Sequence, residues 1–402
     1  MLTLNDYRPI VGDKIISEIY RLARDLYGAK VLHINSTYYG GGVAEMLYTL
    51  VPLLNDAGIN ADWRILRGSE DFFMITKKFH NALQGDHINL SEMKKDIYVR
   101  TNEDFSTYCE VDHDAVIVHD PQPLPLIRFY KKRQPWIWRC HVDLSHPNQE
   151  LWHFLTDFIL RYDAVIVSAE YYRKDDLPVE QKVVAPVIDP LTAKNKMLPH
   201  TLIHKMLKKN DIPTDKPLIT QISRFDKWKD PVGVVEAFKL VRRKTDCRLV
   251  LCGSMAPDDP EGWDIYDSVK SKAKTLIESG DVILNTTEHN VLVNALQRSS
   301  AVIIQNSTRE GFGLTVTEAL WKGKPVVATN VGGIPLQIVD GESGFLVEPE
   351  NSEQLAQRTL EILQHPEMGK HLGERGREDV RQKFLITRMV YDDLKLLREL
   401  IG

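Results

Sequence analysis

The stretch AVIIQNSTREGFGLTVTEA, residues 301–319, decides the fold. It opens on an apolar run, Ala301–Gln305, short enough for a strand buried on both faces, and passes through a polar turn into a helical pattern. Gly311 and Gly313 flank Phe312 where strand gives way to helix. The backbone there is free to approach a ligand closely, and the first N–H groups of the helix point at whatever binds. Strand, glycine-rich turn and helix in that order form the repeating unit of a doubly wound parallel sheet. Glu310 lies just before the helix and Glu318 about two turns in, which at 1.5 Å per residue separates the carboxylates by roughly 10 Å along the axis. That span matches the distance from sugar to ribose in a nucleoside-diphosphate sugar, with the helix N-terminus under the phosphates between them. The plainer alternative is a pair of acids that merely favour the helix dipole.

Outward from this stretch the same rhythm occurs twice. The first half offers the apolar runs Val31–Asn35, Ala61–Leu66, Ala115–His119, Trp136–His141, Ala164–Ser168 and Val183–Ile188. Between the first two, Val43, Met46, Leu47, Leu50 and Leu54 fall on one helical face, with Gly58 placed to end it. A polar, turn-rich stretch follows near residue 190. The rhythm then restarts with Leu218–Ser223, Arg248–Gly253, Asp281–Leu284, Ala301–Gln305, Pro325–Thr329 and Gly344–Val347. The sequence therefore predicts an α/β protein of two Rossmann-like, doubly wound domains facing across a cleft, the usual place for a ligand. The expected boundaries are 1–190 and 191–384, with a C-terminal helix at about 385–402 returning to the first domain. Met389, Leu394, Leu397 and Leu400 give that helix one apolar face.

Composition narrows the function. The chain has 402 residues, with 51 basic and 56 acidic side chains and a net charge of -5. An acidic balance argues against a nucleic-acid partner, which would need a basic face. No stretch approaches the ~18 apolar residues of a membrane span, and the opening MLTLNDYRPIVGDK lacks the basic-then-apolar pattern of a secretory signal. A cytoplasmic location is expected. Cys109, Cys140, Cys247 and Cys252 are scattered, with no CxxC pair and no zinc spacing, as for small buried hydrophobes in a reducing compartment.

Other motifs sit at strand ends. Ser223-Arg224-Phe225-Asp226-Lys227-Trp228-Lys229 follows the run Leu218–Ser223, and two cations there suit a diphosphate that gains charge as its bond to a sugar breaks. The alternative is a solvated basic loop. Tyr38-Tyr39-Gly40-Gly41-Gly42 precedes the first domain's glycine-led helix and suits an anionic ligand, although Glu45 stands where a dinucleotide fingerprint needs a small residue. His119-Asp120-Pro121 and Arg139-Cys140-His141-Val142-Asp143 end two strands and place polar groups for sugar hydroxyls. Asp112-His113-Asp114 mimics a metal-binding DxD but precedes its strand, on the wrong edge of the sheet, so no metal site is expected.

Taken together these motifs resemble the retaining glycosyltransferases of family four, which have the GT-B fold. Within that family they look most like the trehalose glycosyltransferring synthases, which move glucose from a nucleoside-diphosphate glucose to free glucose. The resemblance covers almost the whole chain. It implies ADP-glucose or UDP-glucose and glucose or trehalose as partners, a retained anomeric configuration and no required cofactor, with Mg2+ non-essential. It places donor-sugar hydroxyls on Glu310 and ribose hydroxyls on Glu318. Gly41, Gly42, Gly311, Phe312, Gly313, Leu314 and Thr315 would lie along the rest of the donor. Arg224 and Lys229 would stabilise the leaving diphosphate, His141 would contact the donor sugar and Asp120 would face the acceptor. The segment after Asp120 reads Pro121-Gln122 instead of the aromatic–His of some relatives. Sucrose-phosphate, glycogen or mannosyl transfer, nucleotide-sugar 2-epimerisation and a non-catalytic sugar-binding protein are the rival readings. A homodimer is expected only because two-fold assemblies are common.

Overall fold

Short runs rich in Val and Ile, spaced by amphipathic helices, fold as buried parallel strands. The computed structural model describes residues 2–38, 42–253 and 260–402. Six strands form the first sheet: β1 (Lys30–Asn35), β2 (Asn60–Ile65), β3 (Ala115–His119), β4 (Trp136–Arg139), β5 (Ala164–Val167) and β6 (Glu180–Val183). Six more form the second: β7 (Leu218–Ile222), β8 (Arg248–Cys252), β9 (Val282–Asn285), β10 (Val302–Gln305), β11 (Val326–Thr329) and β12 (Phe345–Val347). All neighbours pair in parallel, in the orders β2-β1-β3-β4-β5-β6 and β12-β11-β10-β7-β8-β9. The chain divides into two compact units, residues 1–187 with 384–402, and residues 188–383.

Strand order fixes where each unit binds. In the second sheet the chain winds one way from β7 and the other way from β10, and these two strands are neighbours. Loops leaving their carboxyl ends diverge and open a crevice at that switch point. In the first sheet the corresponding reversal lies between β1 and β3.

The apolar run Val183–Ile188 is not a strand. The last strand of the first sheet lies three residues earlier, at Glu180–Val183, and is partly exposed. An edge strand solvated on one side needs no apolar run, whereas Pro186 removes an N–H that a strand there would need. The last thirty residues likewise form two helices, Pro366–Lys383 and Ile386–Ile401, broken at Phe384 and Leu385.

The helix Ile386–Ile401 belongs to the first unit. Its Asp393 receives a bidentate ion pair from Arg139 at the end of β4, with Nη1 donating to Oδ2 at 3.2 Å and Nη2 to Oδ1. Both side chains are almost fully buried, at 2% and 1% exposure.

Asp112 and Asp114 hold the opposite, amino edge of the first sheet. The Asp114 carboxylate accepts from the backbone N–H of Lys30, the first residue of β1, at 2.8 Å, and Asp112 pairs with the Lys30 ammonium at 2.9 Å. All four cysteines are free and buried. Among the described residues no helix is long and apolar enough to cross a membrane.

Candidate active site

The loops after β7 and β10 are locked together before any ligand arrives. Gln221, within β7, accepts from the backbone N–H of Asn306 at 3.0 Å and donates to the Lys229 carbonyl at 2.9 Å. The Thr308 N–H donates to the Trp228 carbonyl at 2.8 Å. Trp228 is bracketed by two cations, Lys227 Nζ at 4.7 Å and the Arg309 guanidinium at 5.5 Å from the ring centre. Asp230 turns the chain with φ +36° and caps the helix Pro231–Arg242 by accepting from the Gly233 N–H. Gly253, just after β8, lets that strand end lie close against the β7 loop, because a Cβ there would lie 1.7 Å from the Ser223 carbonyl oxygen.

The two cations of the β7 loop have different surroundings. Lys229 Nζ lies 2.5 Å from Glu310 Oε2, with both side chains largely buried. Ser307 donates to the same carboxylate oxygen at 3.2 Å and Gln305 at 3.4 Å. Arg224 is 61% exposed and is turned onto Asp226 at 3.2 Å. The two cations expected on the diphosphate thus have different carboxylate partners here, Asp226 for Arg224 and Glu310 for Lys229.

Gly313 is the N-cap of the helix Leu314–Trp321, with φ +85° and no side-chain cap for the first-turn N–H groups. That end of the helix carries partial positive charge at the mouth of the crevice. The preceding turn is held from beneath. Gln337 donates to the Phe312 carbonyl at 2.5 Å, and the Gly333 N–H donates to the Gly311 carbonyl at 3.2 Å. Phe312 is buried, and the Thr315 hydroxyl is engaged, donating to Gln305 at 2.9 Å. Glu318 is 2% exposed: Oε1 pairs with Lys194 at 3.1 Å, and Oε2 is buried without a partner among the described residues. A bare carboxylate oxygen of this kind is costly unless something completes it. Nearby Lys322 donates to Asn195, Gln297 and the Glu318 carbonyl, and burial pushes its ammonium down to about 7.

In the first unit, Gly41 lies outside the described residues, and Gly42 begins the helix Gly42–Asp56. The ends of β3 and β4 bring His119, Asp120 and His141 together. Asp120 takes a left-handed conformation, φ +63°, fixed at both ends: its carbonyl accepts from Trp138 Nε1 at 2.9 Å, and its Oδ1 accepts from the His141 N–H at 2.8 Å. Burial raises its carboxyl to about 7, against the opposing pull of that N–H. Asp143 serves locally, accepting from the Ser145 N–H at 2.7 Å.

Several contributors escaped the sequence reading. Lys194 sits in the turn-rich stretch taken as a linker, and no pattern marks it. Gln305 and Gln337 are polar residues in apolar surroundings, a weak signal. His33 interrupts the apolar run of β1 and is fully buried, contacting the ring of His119.

Comparison with known proteins identifies relatives of the chain. Residues 203–379 match the family described as glycosyl transferases group 1, and residues 33–174 match the trehalose synthase N-terminal domain. The UDP-forming alpha,alpha-trehalose-phosphate synthase of Burkholderia xenovorans, solved with glucose-6-phosphate, shares the fold at a TM-score of 0.74, over 93% of this chain and 100% of that one, at 13% identity. Fold and site thus define a glycosyltransferase of the GT-B class. The chain is 46% identical to the trehalose synthase of Pyrococcus horikoshii, over 99% of this chain and 97% of that protein. It is also 46% identical to the trehalose synthase of Thermococcus litoralis, over 98% and 96%. It belongs to the trehalose synthase family.

Proposed function

We propose that the protein transfers glucose, with retention, from ADP-glucose or UDP-glucose to free glucose, forming alpha,alpha-trehalose and releasing the nucleoside diphosphate. The observation that carries this reading is the buried Lys229–Glu310 pair at the carboxyl edge of the second sheet, beside an uncapped helix N-terminus. A cation and a carboxylate in contact suit a ligand in which hydroxyls and an anion are adjacent, as at the bond between a sugar and its phosphate. Glu310 then takes donor-sugar hydroxyls, while Lys229, the first-turn N–H groups and a reoriented Arg224 take the diphosphate. The bare oxygen of Glu318 is completed by a ribose hydroxyl. Asp120 takes an acceptor hydroxyl and His141 a hydroxyl of the donor hexose.

Retention follows without a covalent intermediate. Glu310 is engaged by Lys229, Ser307 and Gln305, which leaves it a poor nucleophile. The acceptor hydroxyl instead attacks the face vacated by the phosphate, and its proton passes to the departing phosphate oxygen. Fixed cations and backbone N–H groups stabilise the developing charge, so Mg2+ is non-essential in this reading.

Incubation with ADP- or UDP-glucose and glucose, in EDTA, should yield a non-reducing disaccharide with two equivalent alpha anomeric protons by NMR. Hydrolysis alone, or an epimerised nucleotide sugar, would remove the transfer reading.

A pH dependence follows from Asp120. Its carboxyl is raised to about 7, so the carboxylate that accepts a hydrogen bond from the acceptor hydroxyl forms only as pH rises through that value. Transfer should climb with pH across this window, and Asp120→Asn should flatten the climb. The stability sign is opposite, because a raised carboxyl stabilises the fold when protonated and loses that contribution as pH rises through 7. A climb that survives in Asp120→Asn would assign the titration to Lys322.

A further inference from the structure

Three imidazoles form a continuous row across the carboxyl half of the first sheet. His33 Nδ1 lies 3.1 Å from His119 Nε2, and His119 Nδ1 lies 3.1 Å from His141 Nε2. The rings lie edge to edge and close to one plane, as in-plane N–H···N bonds require, with centres 5.4 and 5.5 Å apart and interplanar angles of 27° and 7°. They come from β1, β3 and the segment just beyond β4, three neighbouring strands, so the sheet itself sets their spacing. His33 and His119 are fully buried, whereas His141 is only partly so. Burial holds all three neutral, with His33 and His141 at about 3 and His119 well below its usual range; the Arg139 guanidinium acts in the same direction.

A neutral imidazole carries one N–H and one bare nitrogen. Two ring-to-ring hydrogen bonds in series therefore leave only two arrangements. In one, every N–H points toward His33, so that Nε2 of His33 carries a proton. In the other, every N–H points toward His141, so that Nε2 of His33 is bare. That atom is buried and has no partner among the described residues. An orphaned buried N–H is among the rarest features of folded proteins, and an under-satisfied acceptor is less so. The second arrangement is favoured. His33 Nδ1–H donates to His119, His119 Nδ1–H donates to His141, and His141 is left with a proton on Nδ1.

We propose that His33 and His119 are positioning residues that lock His141 as its Nδ1–H tautomer, making it a fixed donor to a sugar hydroxyl oxygen and unable to act as a base. The proposal rests on the transferase reading for the identity of the ligand, but the tautomer itself does not depend on it. His141 is anchored at a second point, because its backbone N–H is held by Asp120. The ring thus has its proton set by two buried imidazoles that never meet the substrate, and its backbone held by Asp120.

The test is long-range 1H–15N correlation on the full chain labelled with 15N-histidine. His33, His119 and His141, assigned through single substitutions, should all show protonated Nδ1 and bare Nε2, with no titration between pH 5 and 8. Finding His141 protonated on Nε2 overturns the proposal. His33→Phe keeps a ring but removes the leading donor, and should release the His141 tautomer and lower kcat/KM for transfer about tenfold. His33→Asn keeps an N–H close to the Nδ1 position and should restore both readouts. Equal behaviour of the two variants, in tautomer and in rate, would reduce the row to packing. A correct tautomer in a protein that transfers no glucose would instead sink the transferase reading alone.

Discussion

Replacing Lys229 by alanine lowers transfer by about 100-fold or more, the scale for one preorganised electrostatic group. Two losses combine. The diphosphate loses a cation that is already desolvated and aimed, and Glu310 is left as a largely buried carboxylate without its ammonium. Glu310→Ala should cost a similar factor by freeing Lys229 and abandoning the sugar hydroxyls. If the pair acts as one unit, the double variant is scarcely worse than either single one, as happens when residues depend on each other's presence. Additive losses, near 10 000-fold, would place the two groups at separate points of the substrate. Near-normal turnover in Lys229→Ala would move the donor site elsewhere. The comparison with Arg224 is informative because that side chain is exposed and paired with Asp226. Its removal tests whether it swings onto the phosphates when the donor binds.

The second large effect is on stability. Asp393→Ala leaves the Arg139 guanidinium buried at the end of β4 without the carboxylate it contacts directly. Breaking a buried pair from one side typically costs about 3–5 kcal/mol, so the melting temperature should fall by roughly 10 °C for a unit of this size. The combined change Arg139→Met with Asp393→Leu should recover most of the loss, because a well-packed apolar pair avoids the desolvation of two ions. Differential scanning calorimetry of the three proteins decides it. A melting temperature within 2 °C of the parent in Asp393→Ala would show that the pair is not buried in solution.

These two experiments also mark what a single sequence reveals. Gly311, Gly313 and Glu310 announce themselves, because glycines flanking an aromatic at a strand–helix junction answer a local backbone demand. Strand ends such as His119 and Asp120 follow from the rhythm that predicts the strands. The contact between Lys229 and Glu310 does not, since it depends on β7 and β10 being neighbours across 81 residues of chain. Lys194 under Glu318, and Asp393 beside Arg139 at a separation of 254 residues, are products of tertiary packing with no local trace. His33 is intermediate: a polar residue inside an apolar strand asks for a partner, but only the sheet order names His119. The misplaced edge strand at Glu180–Val183 has the same origin, because an edge needs hydrogen bonds from one side and little hydrophobicity.

The chain leaves its first unit at residue 187 and re-enters it at 384, with a complete sheet threaded between. On the ribosome this inverts the usual order of assembly. The second unit is contiguous and has all its strands as soon as residue 383 emerges, whereas the first, begun earliest, waits for the helix Ile386–Ile401. Until that helix docks, Arg139 has no counter-ion and the half-made domain exposes the apolar surface the helix will cover. The nascent chain must therefore carry an unfinished lobe while the whole second unit is made, and the helix Ile386–Ile401 acts as its latch.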